Sequence, residues 1–173
     1  MAKSLNKAKK VGLLDLIKMV AAAVGLVLAV VGLCVPFFAQ VTTSIVGDNT
    51  QTVGLFGDYE ALEELMEGGI TIVVIQSIAI ISLIFTVFAS VLVILGKLGI
   101  IRMGAIVKLI FAVVTVVLAV LVMSLAVAYA AQSPLNLDGG SLGSTSFVAA
   151  AGAYLMMAGG IVSGVTLVLS KLK

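Results

Sequence analysis

The chain has no histidine, no tryptophan and one cysteine, and only 10% of its 173 residues are charged. Each shortage excludes something. Without histidine there is no imidazole for proton transfer or for a zinc site. With Cys34 as the only thiol, no internal disulfide can form. No Asp, Glu, Lys or Arg lies deep in any long apolar run, although proton relays and ion-coupled transporters keep such charges at membrane depth. Lys18, Lys97 and Lys108 sit close enough to the ends of these runs to snorkel outward. The glycines are not followed by the Lys-Ser or Lys-Thr of a phosphate loop. No catalytic constellation, cofactor motif or metal-ligating set is therefore expected.

What is present is apolar. Hydrophobic residues make up 62% of the chain, and mean hydropathy is +1.32. A soluble domain carries about 25% charged residues, so this chain cannot cover a water-facing surface. Its solvent is expected to be lipid. Crossing the hydrocarbon core takes roughly 20 apolar residues in a helix, and the uncharged runs supply four spans, near 15–38, 70–95, 104–131 and 147–170. These segments are too long and too uniformly apolar for barrel strands. The length suits a single transmembrane domain over 1–173.

The charges are sorted. All ten basic residues lie in three places: the N-terminus (Lys3, Lys7, Lys9, Lys10, Lys18), the link between the second and third spans (Lys97, Arg102, Lys108) and the C-terminus (Lys171, Lys173). With four spans these share one side. Asp48, Asp58, Glu60, Glu63, Glu64, Glu67 and Asp138 fall on the other, and only Asp15 does not. The positive-inside rule places both termini in the cytoplasm of a plasma-membrane protein. The basic rim suits anionic lipid. No basic patch is large enough for nucleic acid to be a partner.

The stretch between the first two spans, residues 39–69, changes character. Val41, Thr42, Thr43, Ile45 and Val46 favour a strand, Gly47-Asp48-Asn49 is turn chemistry, and Thr50–Phe56 can return as a second strand. Next, "GDYEALEELMEGG" reads as a short amphipathic helix. Asp58 is a suitable cap, Glu60 suits the first turn, and Tyr59, Leu62, Leu65 and Met66 share one face. That helix is either a solvated linker or a partner-binding element. The candidate interaction residues of this outer segment are Val41, Thr43, Ile45, Leu55, Phe56, Tyr59, Leu62, Leu65 and Met66. The second outer segment, "AQSPLNLDGGSLGSTS", is rich in Gly and Ser and is expected to be flexible.

The spans carry packing signals. Ala105, Ala112, Ala119 and Ala126 recur every seven residues, as a seam in a left-handed bundle would require. Gly25 and Ala29 in the first span, and Gly160 and Gly164 in the fourth, also permit close helix approach. Such faces serve contacts within the bundle or self-association. Ser82, Thr86 and Ser90 form a polar stripe on the second span, which either lines a water path or bonds neighbouring backbone. Lysines followed by an apolar run ending in "VVGLC" suggest a cleaved lipid-anchor signal, but Leu33 stands where a small residue is expected. An uncleaved span with an inert, buried Cys34 is expected instead.

The layout resembles the claudin and peripheral-myelin-protein tetraspan superfamily: a large first outer segment with a hairpin, an outer helix entering the second span, and a short basic inner link. "GLF" at 54–56 is similar, by its position after the hairpin, to the "GLW" of claudins. The cysteines and tryptophans that claudins carry in this segment are absent here. "GLCVPFF" and "GAYLMMAGGIVSG" resemble the first- and last-span patterns of small prokaryotic tetraspan proteins. The resemblance implies adhesion or assembly. The fold expected is all-α and membrane-integral: a left-handed four-helix bundle with a small extracellular hairpin and a short amphipathic helix. The function expected is non-enzymatic self-association or binding of another membrane protein. The alternative is a channel or an accessory transporter subunit.

Overall fold

Four helices, long enough and apolar enough to cross a membrane, carry a small antiparallel sheet at one end. The computed structural model describes residues 12–44, 47–59, 70–101, 103–133, 136–138 and 143–170. The helices are α1 (Leu13–Cys34), α2 (Ile72–Lys97), α3 (Ala105–Gln132) and α4 (Ala151–Leu169). The strands are β1 (Phe38–Ser44), β2 (Gly47–Val53), β3 (Leu137–Asp138) and β4 (Gly143–Ala149). β1, β2, β3 and β4 all lie at the end of the bundle where α1 and α3 finish and α2 and α4 start, here called the sheet end. The opposite end, with Lys18, Lys97 and Lys108, is the basic end.

The chain has the build of a multi-pass membrane protein. Large apolar side chains point outward along every helix, for example Val24, Val27, Phe88, Ile110, Val117 and Val165. Small residues point inward. α1 buries Ala22, Gly25, Ala29 and Gly32, and α4 buries Gly152, Ala153, Gly159, Gly160, Ser163 and Gly164. Turning the bulky residues outward costs nothing in lipid, whose tails are as apolar as the bundle interior.

The first span ends earlier than expected. α1 stops at Cys34 instead of continuing to residue 38, because Pro36 cannot continue a helix and pushes Val35 into extended backbone. The freed chain is used at once. Pro36 O accepts from Gly152 N–H and Phe37 O from Ala150 N–H, each at 2.8 Å, which satisfies amides at the start of α4. Cys34 is exposed rather than buried, since it lies off the Gly25–Ala29–Gly32 face that meets α4.

The hairpin is present but displaced. Ser44 opposes Gly47, so the chain reverses between them, and the expected turn residues Gly47, Asp48 and Asn49 belong to β2. Gly47 takes φ +140°, a backbone region that favours glycine, right at the reversal. The amphipathic helix expected after Asp58 falls on residues 60–69, outside the described residues.

The second segment at the sheet end contributes strand. Gly143–Ala149 forms β4, a strand where flexible chain and the start of the fourth span had been expected. β4 pairs with β1 from Phe38↔Ala149 to Ser44↔Gly143, giving the sheet order β2-β1-β4-β3. α4 therefore begins at Ala151, not residue 147. Gly143, at φ +134°, closes the far end of this pairing, where any Cβ would collide with Thr43 O.

Candidate functional site at the sheet end

The sheet meets the bundle through an aromatic cluster. Phe38 on β1 lies between Phe147 of β4, stacked at 5.4 Å, and the rings of Phe37, Tyr59 and Tyr129 at 5.4–5.9 Å. Leu55, Ile72, Ile75, Val122, Ala126 and Met156 complete this core. Burying a Phe-sized side chain contributes about 1.5–3 kcal/mol. The period of two in β4 explains how it joins: Phe147 faces the bundle, while Ser144, Ser146 and Val148 point away and are exposed.

Amide side chains then pin the connections. Asn136 Nδ2 donates to Ala130 O at 2.8 Å, at the C-terminus of α3, and Asn136 Oδ1 accepts from Phe147 N–H at 2.7 Å. One residue thus terminates a helix and holds a strand. Gln76 on α2 donates to Leu55 O at 3.0 Å, and Gln132 Oε1 accepts from Ile70 N–H at 3.2 Å. Tyr59 donates its hydroxyl to Gly54 O at 2.7 Å. Burial, with the neighbouring Tyr129 phenol adding to it, pushes the Tyr59 phenol above its ordinary range. Asn136 was missed from the sequence. Its only local signal was a turn-forming amide four residues past the last helical position.

The expected interaction residues separate into classes. Leu55 is fully buried and Tyr59 nearly so, which makes both part of the core instead of a presented surface. Both pack in the same cluster as Phe38 and Ile75. Val41 is half-buried on the central strand β1, Thr43 is exposed near its end, and Phe56 is exposed at 58%. Ile45, Leu62, Leu65 and Met66 lie outside the described residues. The surface on view is thus the outward face of the sheet, with Val41, Thr43, Asp48, Thr50, Thr52, Ser144, Ser146 and Val148, and the free edge of β2.

The small residues of the spans lie inside the bundle. A Cβ on Gly25 would meet Gly159 O at 2.9 Å, and one on Gly159 would meet Ala29 N at 2.5 Å. Gly160 lies against Ala119, and Gly164 against Val116 and Ala112. Ala112, Ala119 and Ala126 are buried, whereas Ala105 is exposed in the first turn of α3, where the helix has not yet entered the bundle contact. The glycine faces are therefore occupied by neighbouring helices of the same chain.

Two hydroxyls of the stripe bond inside the bundle, while Ser82 Oγ, also buried, has no hydrogen-bond partner among the described residues. Ser90 Oγ donates to Ser163 Oγ at 3.1 Å, and Thr86 Oγ1 donates to Ser82 O at 2.8 Å. Ser82, Thr86 and Ser90 are all buried. Asp15, the acidic exception in the charge pattern, pairs with Lys97 at 2.7 Å, linking α1 to α2 at the basic end. Among the described residues, no group of His, Cys, Asp and Glu is arranged to hold a metal ion.

No family model, curated protein or solved structure matches the chain.

Proposed function

We propose that this is a non-enzymatic plasma-membrane protein that works by association, either with further copies of itself or with another membrane protein, through the sheet it holds outside the cell. The observation that carries the reading is the braced sheet. Two separate segments converge on one four-stranded surface, and an aromatic core and Asn136 fix it to the bundle. A fixed surface loses less conformational entropy on binding than a flexible one. Most of the polar residues outside the basic end are concentrated there, while the spans lack ionisable groups at depth. The orientation follows from the basic residues, with both termini cytoplasmic.

The claudin-like layout supports the same reading. That resemblance, an outer hairpin on four spans, implies adhesion or assembly, here without the cysteines and tryptophans of claudins. The small-residue faces do not support association within the bilayer, because Gly25, Gly160 and Gly164 are covered by the chain's own helices. The hydroxyl bonds of Ser90 and Thr86 favour packing over a conduit. Subunit counting by single-molecule photobleaching in native nanodiscs, paired with conductance in liposomes, tests the choice. Multimers or a co-purifying membrane partner, with no conductance, are expected. A lone monomer that passes ions would replace this reading with the channel alternative.

A further inference from the structure

Resting on the self-association reading above, we infer that two copies join by antiparallel pairing of their β2 edges, centred on Thr50. The direction of the backbone groups leads to this. Ala150 N–H donates to Phe37 O in register with the β1–β4 ladder, so the odd-numbered residues of β1 bond β4 and the even-numbered ones bond β2. Across the register Phe38↔Val53 to Ser44↔Gly47, the even positions meet Gly47, Asn49, Gln51 and Val53. That leaves the N–H and C=O of Asp48, Thr50 and Thr52 directed away from β1, along the open edge.

Among the described residues nothing guards this edge. Natural edge strands are protected by shortness, lysine, proline or a bulge. β2 is seven residues long, contains no Lys or Pro, and pairs with β1 in unbroken register. The opposite edge of the sheet, β3, is two residues long. One sheet thus has one blunted edge and one open one.

The open edge is complementary to itself. Thr50 is the middle residue of β2 and presents its main chain outward, so a twofold axis at Thr50 opposes Thr50 to Thr50, Asp48 to Thr52 and Asn49 to Gln51. Each outward-directed pair then exchanges two main-chain hydrogen bonds. The single charge of the strand, Asp48, faces a threonine and never its own copy, so the like-charge opposition that destabilises sheet pairs is avoided.

Single-cysteine variants in a Cys34→Ala background test the pairing in native membranes. Thr50→Cys is expected to form a disulfide-linked dimer severalfold more readily than Asp48→Cys or Thr52→Cys alone, since opposed residues meet the Cα spacing a disulfide needs. Asp48→Cys and Thr52→Cys are expected to cross-link when co-expressed. Thr50→Pro removes an outward N–H without touching a bond to β1, and should abolish that mixed cross-link at unchanged thermal stability. Equal cross-linking at all three positions, or a mixed cross-link that survives Thr50→Pro, overturns the edge pairing. Photobleaching counts on the same membranes separate the two levels. Multimers without a Thr50 disulfide overturn the edge and leave self-association standing, whereas monomers overturn both.

Discussion

The two ends of the bundle are held together by different means. At the sheet end, rings, amides and backbone meet: Phe38 lies among four aromatic neighbours, Asn136 ties α3 to β4, and Gly32 and Gly152 bring α1 and α4 within backbone contact. Toward the basic end the buried apolar cluster is Ala22, Ala89, Val93, Ala112 and Leu167, with the single ring pair Phe85–Phe111 beside it and the Asp15–Lys97 pair at the rim. The difference teaches where shape is specified. Lipid supplies no hydrophobic force between helices, so contacts within the bilayer depend on close fit. A sheet standing in water can draw on burial of aromatics as well. The sheet end therefore combines both kinds of stabilisation, and the basic end relies mainly on fit.

The largest effect is expected from Gly152→Leu. A Cβ there would lie 2.6 Å from Gly32 O and 2.9 Å from Pro36 O, so backbone would have to move. The overpacking cost of about 1–3 kcal/mol is a floor, and loss of the folded protein in a detergent thermal-shift assay is the expected outcome. Phe38→Ala should cost about 3–5 kcal/mol, as for large buried aromatics, read as a lowered melting temperature with the sheet released first. Asn136→Ala leaves Phe147 N–H without its partner, while Ala130 O keeps the Ser133 N–H, and should cost about 1 kcal/mol, with faster amide exchange confined to β4 and the end of α3. Asp15→Asn breaks a partly exposed pair. It should cost about 0–1 kcal/mol, a loss that shrinks further in high salt. If Asp15→Asn proved as damaging as Phe38→Ala, the contrast between the ends would be wrong.

A pH scan sharpens the same contrast. The folded state holds the Tyr59 phenol protonated above its ordinary value, so the unfolded chain releases that proton first. The stabilisation is fully present below the ordinary phenol pKa of about 10 and is lost as pH rises beyond it. The sheet end should loosen in strong alkali in the native protein, and less so in Tyr59→Phe.

The spans were legible because a run of apolar residues is a property of one segment. Helix ends were less so. Pro36 marked the end of α1, yet Phe37 and Phe38 prolonged the apolar run into what is strand. The hairpin was legible from β-branched residues, but its reversal falls between Ser44 and Gly47, earlier than Gly47-Asp48-Asn49 turn chemistry implied. β4 was hidden by composition. "GSTSFVA" reads as flexible chain until β1 stands beside it, and strand pairing between residues about 100 positions apart leaves no local trace. The alternation of Thr145, Phe147 and Ala149 was nonetheless in the sequence, and was outweighed by the glycines before it. The small residues of the spans marked close contact without saying with whom, and Gly25 and Gly160 meet helices of their own chain.

The rigidity of the two-segment sheet is the claim on which the rest depends, and amide hydrogen exchange of the native protein in nanodiscs measures it most directly. Residues 143–149 should exchange as slowly as Phe38–Ser44, because the two strands share one ladder. Exchange of 143–149 at the rate of free chain, with Phe38–Ser44 still protected, would reduce the sheet to a lone hairpin and remove the braced surface from the proposed function.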